Sequence, residues 1–202
     1  MAFVLGVTGG VGTGKSAVLR MLAGLGARTL SADDLAREVL ARDTPAFREV
    51  VSRFGKAILA PGGDIDRAAL ASIVFSDADA RRDLERITHP PIIARIQSAI
   101  DEFRADPPAS DAVFALEIPL IFECGLEDMV DQVLVVAAEQ ETQANRLTSR
   151  SGARRGDALS RIHAQMPLSR KVERADRVIW NDGDLESLAR SVKAVWQEIR
   201  LL

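Results

Sequence analysis

Gly9-Gly10-Val11-Gly12-Thr13-Gly14-Lys15-Ser16 satisfies the pattern G-x-x-x-x-G-K-[ST] at every constrained position, and its neighbours decide how it is read. Before it, Phe3-Val4-Leu5-Gly6-Val7-Thr8 is apolar and β-prone. After it, from Lys15 to Leu25, Val18, Leu19, Leu22 and Leu25 recur on one helical face. Strand, glycine loop and helix therefore follow in the order that a phosphate-binding loop needs. Glycines without Cβ let the backbone curl until successive N–H groups converge, and the helix N-terminus adds roughly half a positive charge. The arrangement suits a nucleoside triphosphate, with Gly10, Val11, Gly12, Thr13, Gly14, Lys15, Ser16 and Ala17 as the candidate nucleotide-binding residues. Lys15 is expected to reach the β- and γ-phosphates, and the Ser16 hydroxyl to ligate the Mg²⁺ that accompanies ATP. The alternative, a glycine-rich turn with no ligand, is disfavoured by the flanking strand and helix.

The rest of the chain narrows the class of protein. Its 202 residues, 47% hydrophobic and 27% charged, suit one globular domain with insertions and exclude disorder as the default. A net charge of −3 gives no global attraction to nucleic acid or to an anionic membrane, so anion binding must be local. Cys124 is the single cysteine, which rules out an internal disulfide, suits a reducing compartment and reads as a small packing residue. The first apolar stretch has no basic residues before it and leads into the glycine loop, so it reads as a strand and not a signal peptide. No apolar run approaches the roughly 20 residues that span a bilayer. A cytoplasmic protein is the expectation.

Apolar strands are also expected at Ala27 to Leu30, Ala112 to Ile118, Gln132 to Ala137 and Arg177 to Trp180. Continuous apolar strands separated by helices indicate an α/β fold with a parallel sheet covered on both faces. Between the second and third strands the pattern is helical throughout: Leu35 to Leu40, Phe47 to Phe54, Leu70 to Phe75, Leu84 to Ile87 and Ile92 to Phe103. A gap of roughly 70 residues far exceeds an ordinary crossover, so it reads as an inserted helical subdomain. A last helix starts at the N-cap Asp184, with Leu185, Leu188, Val192, Val195, Trp196 and Ile199 facing the core. The expected division is a nucleotide-binding core of residues 1–30, 107–140 and 175–202, a helical insert over 31–106 and a lid over 141–174.

The lid expectation comes from charge. From Arg146 to Arg177 there are nine basic residues against three acidic ones, a local +6 in a chain of −3. Guanidinium forks match phosphate oxygens, so a lid closing on polyphosphate is one reading, and a solvated helical face is another. Nucleic-acid binding is a third, but no Phe, Trp or Tyr between Phe122 and Trp180 offers a base-stacking platform. A guanine-specific switch is excluded because neither N-K-x-D nor D-x-x-G occurs. Phosphoryl transfer to an alcohol needs an in-line acceptor, excluded water and a group to receive the hydroxyl proton. Asp33 and Asp34, just beyond the second strand, are the carboxylates placed for it. A small-molecule kinase with a nucleoside, nucleotide or sugar acceptor and an ATP-dependent regulatory or nucleic-acid-binding module both remain open on these features alone.

Beyond the loop the chain resembles the dephospho-coenzyme A kinases. The likeness runs from Leu5 to Ser16 through Asp33-Asp34-Leu35-Ala36-Arg37-Glu38-Val39, Ile65-Asp66-Arg67, Val74-Phe75, Leu84-Glu85 and His89-Pro90. It continues in Pro119-Leu120-Ile121-Phe122-Glu123, in Gln143 with Arg146-Leu147 and Arg150, and in Ala175-Asp176 with Asn181-Asp182-Gly183. The resemblance implies a three-layer P-loop kinase fold with a helical substrate-binding insert and an arginine-rich lid. The reaction it implies is transfer from ATP to the ribose 3′-hydroxyl of dephospho-coenzyme A, giving coenzyme A and ADP, with no nucleic acid, membrane or obligate protein partner. It further implies that Asp33 orients or deprotonates the hydroxyl, that Arg146 and Arg150 close over the ATP phosphates and that Asn181 with its neighbours flanks the adenine. The insert would hold the acceptor, with Arg67 and His89 as candidate contacts. Arg67 could equally pair with Asp64 or Asp66, and His89 could cap a helix before Pro90. The chain departs from the family at Ser31, where an acid is usual, and at Glu117, where an aspartate often precedes the proline.

Overall fold

The computed structural model describes residues 2–108, 111–152 and 154–201. Among them, five strands form one parallel sheet: β1 (Phe3–Gly9), β2 (Arg28–Ser31), β3 (Val113–Glu117), β4 (Gln132–Ala137) and β5 (Arg177–Trp180), in the order β2-β3-β1-β4-β5. β1, β3 and β4 fall on apolar runs of the sequence, and every residue of β3 is buried, whereas the edge strand β2, Arg28-Thr29-Leu30-Ser31, has no buried residue. Helices α1 (Lys15–Gly24) and α9 (Leu185–Ile199) complete a core with Leu5, Val7, Val18, Leu22, Leu134, Ile179, Val192 and Trp196. Asp184 caps α9 by accepting the Ser187 amide at 2.8 Å, and hydrogen bonds from Ser187 hold its carboxyl below the usual range. Leu185, expected in this core, is 68% exposed because the cap turns it outward at the start of the helix. The segment between β4 and β5 forms α6 (Gln140–Ser151), α7 (Arg155–His163) and α8 (Leu168–Glu173).

The chain divides into two compact units, Met1–Ser31 with Glu102–Leu202, and Ala32–Asp101. The second contains α2 (Ala32–Val39), α3 (Pro45–Phe54), α4 (Arg67–Ser76) and most of α5 (Ala78–Ala105). Its own apolar cluster gathers Val39, Ala46, Val50, Ile58, Leu70 and Ile87. Thr44 starts α3, accepting the Phe47 amide at 3.1 Å with Pro45 in the first turn. The turn at Pro61-Gly62-Gly63-Asp64 is closed by an isolated antiparallel bridge between Leu59 and Ile65. One expectation is corrected here. The stretches read as separate helices on either side of His89-Pro90-Pro91 are a single helix of 28 residues. Proline removes a hydrogen bond and crowds the preceding turn, but Ile87, Ile96 and Ile100 bury on both sides of the pair and carry the helix through.

Candidate active site

The glycine loop joins β1 to α1 and takes the conformation that its sequence anticipates. Gly14 caps α1 with φ of 99°, a left-handed geometry that suits glycine, and a Cβ there would stand 2.3 Å from Asn181 Nδ2. At Gly9 a Cβ would meet the Val136 carbonyl of β4 at 2.1 Å. Both positions require a residue without a side chain. Lys15 is buried to 9% exposure, and its Nζ donates to the carbonyls of Gly9 at 3.2 Å and Gly10 at 2.9 Å. The ammonium is thus folded over the loop at the positive end of α1. Ala17 sits one step deeper: its amide donates to the Gly14 carbonyl at 2.9 Å, so it already belongs to the helical ladder.

Around the loop stand residues from distant parts of the chain. Ser16 Oγ donates to Glu117 Oε1 at 3.2 Å, and Glu117 is 4% exposed at the carboxyl end of β3. Asn181, just past β5, donates to the Thr13 carbonyl at 2.7 Å and is buried, so its amide is committed to the loop. Arg146 on α6 reaches the same carbonyl at 3.4 Å and Asn181 Oδ1 at 3.5 Å. These long contacts hold the guanidinium weakly in place. Gln143, one turn earlier on α6, is 2% exposed; its Nε2 donates to the Ala138 carbonyl while its Oε1 is buried with no hydrogen-bond partner among the described residues, against the space beside Gly10. Val11 N–H donates to Gln165 Oε1 at 2.9 Å. Beside Gln143 and Gln165 opens a cavity of about 630 Å³ whose walls include Ile162, Leu168, Val172 and Trp180. Walls of that kind suit an uncharged part of a ligand more than a phosphate.

The basic segment is divided by its contacts. Arg155 pairs with Glu141, whose carboxyl it holds below the usual range, Arg170 with Glu173, Arg174 with Glu127 and Arg177 with Glu198. Lys171 is fully buried in an ion pair with Glu123. These five residues are taken up by carboxylates of the protein itself. Arg150 is exposed four residues after Arg146, on the same face of α6.

In the second unit, Asp33 and Asp34 both lie in the first turn of α2, just beyond Ser31 at the end of β2. Asp34 pairs with Arg37. The Asp33 carboxylate is exposed and has no hydrogen bond or ion pair among the described residues. Arg67 opens α4 exposed to solvent, and neither Asp64 nor Asp66 pairs with it; Asp66 instead caps the helix by accepting the amides of Ala68 and Ala69. His89 lies half-buried inside α5 and caps no helix, since the chain continues helically through Pro90 and Pro91. Glu117, Gln143 and Gln165 are the site residues that sequence reasoning did not assign. Glu117 left a signal as the one acid in an otherwise apolar buried strand, and Gln143 left one in the family resemblance around Arg146, whereas Gln165 left none.

A parallel α/β sheet with a lysine-bearing phosphate loop at the head of α1 and an arginine-bearing helix after β4 defines a P-loop kinase. The family model described as CoaE, dephospho-CoA kinase, matches residues 3–187. A dephospho-CoA kinase of Geobacter metallireducens is 48% identical over 96% of this chain and 96% of its own length, and one of Moorella thermoacetica 43% identical over 98% and 92%. Among solved structures, TT1252 from Thermus thermophilus aligns at a TM-score of 0.79 and 36% identity over 98% of this chain and 97% of its own. Dephospho-CoA kinase from Campylobacter jejuni aligns at 0.72 and 28% over 99% and 98%. The chain belongs to the dephospho-CoA kinase family, transferases that carry out the ATP-dependent last step of coenzyme A synthesis.

Proposed function

We propose that this chain transfers the γ-phosphoryl group of ATP to the ribose 3′-hydroxyl of dephospho-coenzyme A with the residues assembled above. The observation that carries the reading is the buried Lys15 ammonium folded over the carbonyls of Gly9 and Gly10, beside the Ser16–Glu117 pair. In this reading Lys15 exchanges those neutral acceptors for β- and γ-phosphate oxygens, and the amides at the head of α1, which have no helical acceptors of their own, receive the rest. The Ser16 hydroxyl and the Glu117 carboxylate are hard oxygen donors of the kind that suits Mg²⁺, so they would hold it together with the ATP phosphates. When bound, the ion supplies charge neutralisation across the β- and γ-phosphates. Asp33 orients the 3′-hydroxyl and takes its proton as the new O–P bond forms and the bond to the β–γ bridging oxygen breaks. Residues 141–174 act as the lid, residues 31–106 as the acceptor-holding part with Arg67 and His89 as contacts, and the remainder as the nucleotide-binding core. Asn181 serves the nucleotide by fixing the loop.

Arg146 is held by two long contacts that phosphate oxygens can outcompete, and Arg150 shares its face of α6. Guanidinium groups of a lid pair best with charge that develops in the transition state. Alanine at Arg146 or Arg150 therefore lowers kcat more than it raises KM for ATP, in steady-state kinetics with both substrates varied. Wild-type kinetics in both variants would leave this face of α6 a solvated surface.

The acceptor assignment is tested by comparing kcat/KM for dephospho-coenzyme A, adenosine and AMP. A separate unit of about seventy residues with its own core is more than a bare nucleoside needs. Remote contacts to the pantetheine arm can be spent on positioning the hydroxyl, so dephospho-coenzyme A should exceed the others by a wide margin. Equal efficiency with adenosine would overturn the assignment.

A further inference from the structure

The stretch from Gln165 to Lys171 is fastened at both ends to parts of the site. At one end Gln165 Oε1 accepts the Val11 amide of the phosphate loop at 2.9 Å. At the other, the Lys171 side chain has no exposed surface, and its Nζ donates to the Pro119 carbonyl and to Glu123 Oε1, both at 2.8 Å. Glu123 Oε1 also accepts the Met166 amide at 3.1 Å, and the Pro119 carbonyl also accepts Thr8 Oγ1 at 3.1 Å, from the end of β1 that enters the loop. Pro167 starts α8 between the two ends, with its carbonyl accepting the amides of Arg170 and Lys171. A buried ion pair adds little net stability because desolvation opposes the attraction, so its effect is better sought in the geometry it enforces.

We propose that Gln165–Lys171 is a brace that sets the phosphate loop in its nucleotide-binding conformation, with Gln165 and Lys171 as positioning residues. Lys171 fixes α8 to the segment after β3, and that anchorage delivers the neutral Gln165 carboxamide to the Val11 amide. The brace acts on the loop before any chemistry, so it contributes equally to ground-state and transition-state binding of the nucleotide. It rests on the phosphate-loop part of the proposed function and is independent of the acceptor.

The test is ADP binding by calorimetry, supported by kinetics and thermal melts. Gln165→Ala raises Kd for ADP and KM for ATP by about threefold to tenfold, the size of one hydrogen bond, with kcat and KM for dephospho-coenzyme A unchanged. Gln165→Glu keeps an acceptor but sets a negative charge against bound phosphate, so it weakens ADP binding more than alanine does. Lys171→Met weakens ADP binding although Lys171 reaches no ligand, and combining it with Gln165→Ala adds little, because both changes release the same contact. Unchanged ADP affinity in Gln165→Ala, glutamate tolerated as well as glutamine, or additive effects in the double variant would each overturn the brace. So would losses in kcat and both KM values that track lowered thermal stability, since they would mark a structural role only. If Lys171→Met does not fold, the two Gln165 variants decide alone. A failed acceptor assignment would show instead as absent transfer in the unaltered enzyme with ADP binding intact.

Discussion

Alanine at Lys15 removes phosphoryl transfer, lowering turnover by at least about a hundredfold to a thousandfold while the protein stays folded. The size follows from deleting a preorganised cation aimed at charge that develops on the transferring group, in a site where water screens it poorly. Folding survives because Lys15 lies in the first turn of α1 over the carbonyls of Gly9 and Gly10, while Val18 and Leu22, farther along the helix, hold α1 to the sheet. The direct loss includes two charge-assisted hydrogen bonds to carbonyls, each worth about 1.5–3 kcal/mol. Turnover measured beside a thermal melt separates the two effects. A folded variant keeping more than about a tenth of normal turnover, an effect of about 1.4 kcal/mol or less, contradicts the role given to Lys15.

Asn at Asp33 costs at least about a hundredfold in transfer rate with ATP affinity nearly intact, the range of a lost acid–base and orienting group. Asn at Asp34 costs far less. The two acids share the first turn of α2, where either negative charge favours the helix dipole by a few tenths of a kcal/mol to about 1 kcal/mol. Their surroundings separate them: Asp34 pairs with Arg37, whereas the Asp33 carboxylate is exposed with no ion pair among the described residues. Turnover numbers and nucleotide affinities for both variants give the answer. A reversed order would move the role to Asp34, and two mild effects would leave the acceptor hydroxyl without its carboxylate.

The sheet and the loop were legible because each depends on short-range pattern. The continuous apolar run of β3 and the strand–glycine–helix order around Lys15 carry their structure locally. The single helix through Pro90 and Pro91 was not, since local propensity argues for a break there and burial of Ile87, Ile96 and Ile100 overrides it. The basic segment shows the same limit. Nine positive charges in sequence look alike, yet Lys171 is buried against Glu123 while Arg146 lies over the loop, and only the partners tell them apart. Gln165 carries no charge and meets Val11 across 154 residues, so no sequence window contains the pair. Glu117 was visible as an unusual acid, but its meeting with Ser16 required the register that sets β3 beside β1.

The most direct test is to incubate the protein with ATP, Mg²⁺ and dephospho-coenzyme A, and to locate the new phosphate on the product by phosphorus NMR while ADP is counted. Phosphate on the ribose 3′-hydroxyl, formed in step with ADP, is the predicted result. ADP release without a phosphorylated acceptor, or phosphate on any other hydroxyl, would contradict it.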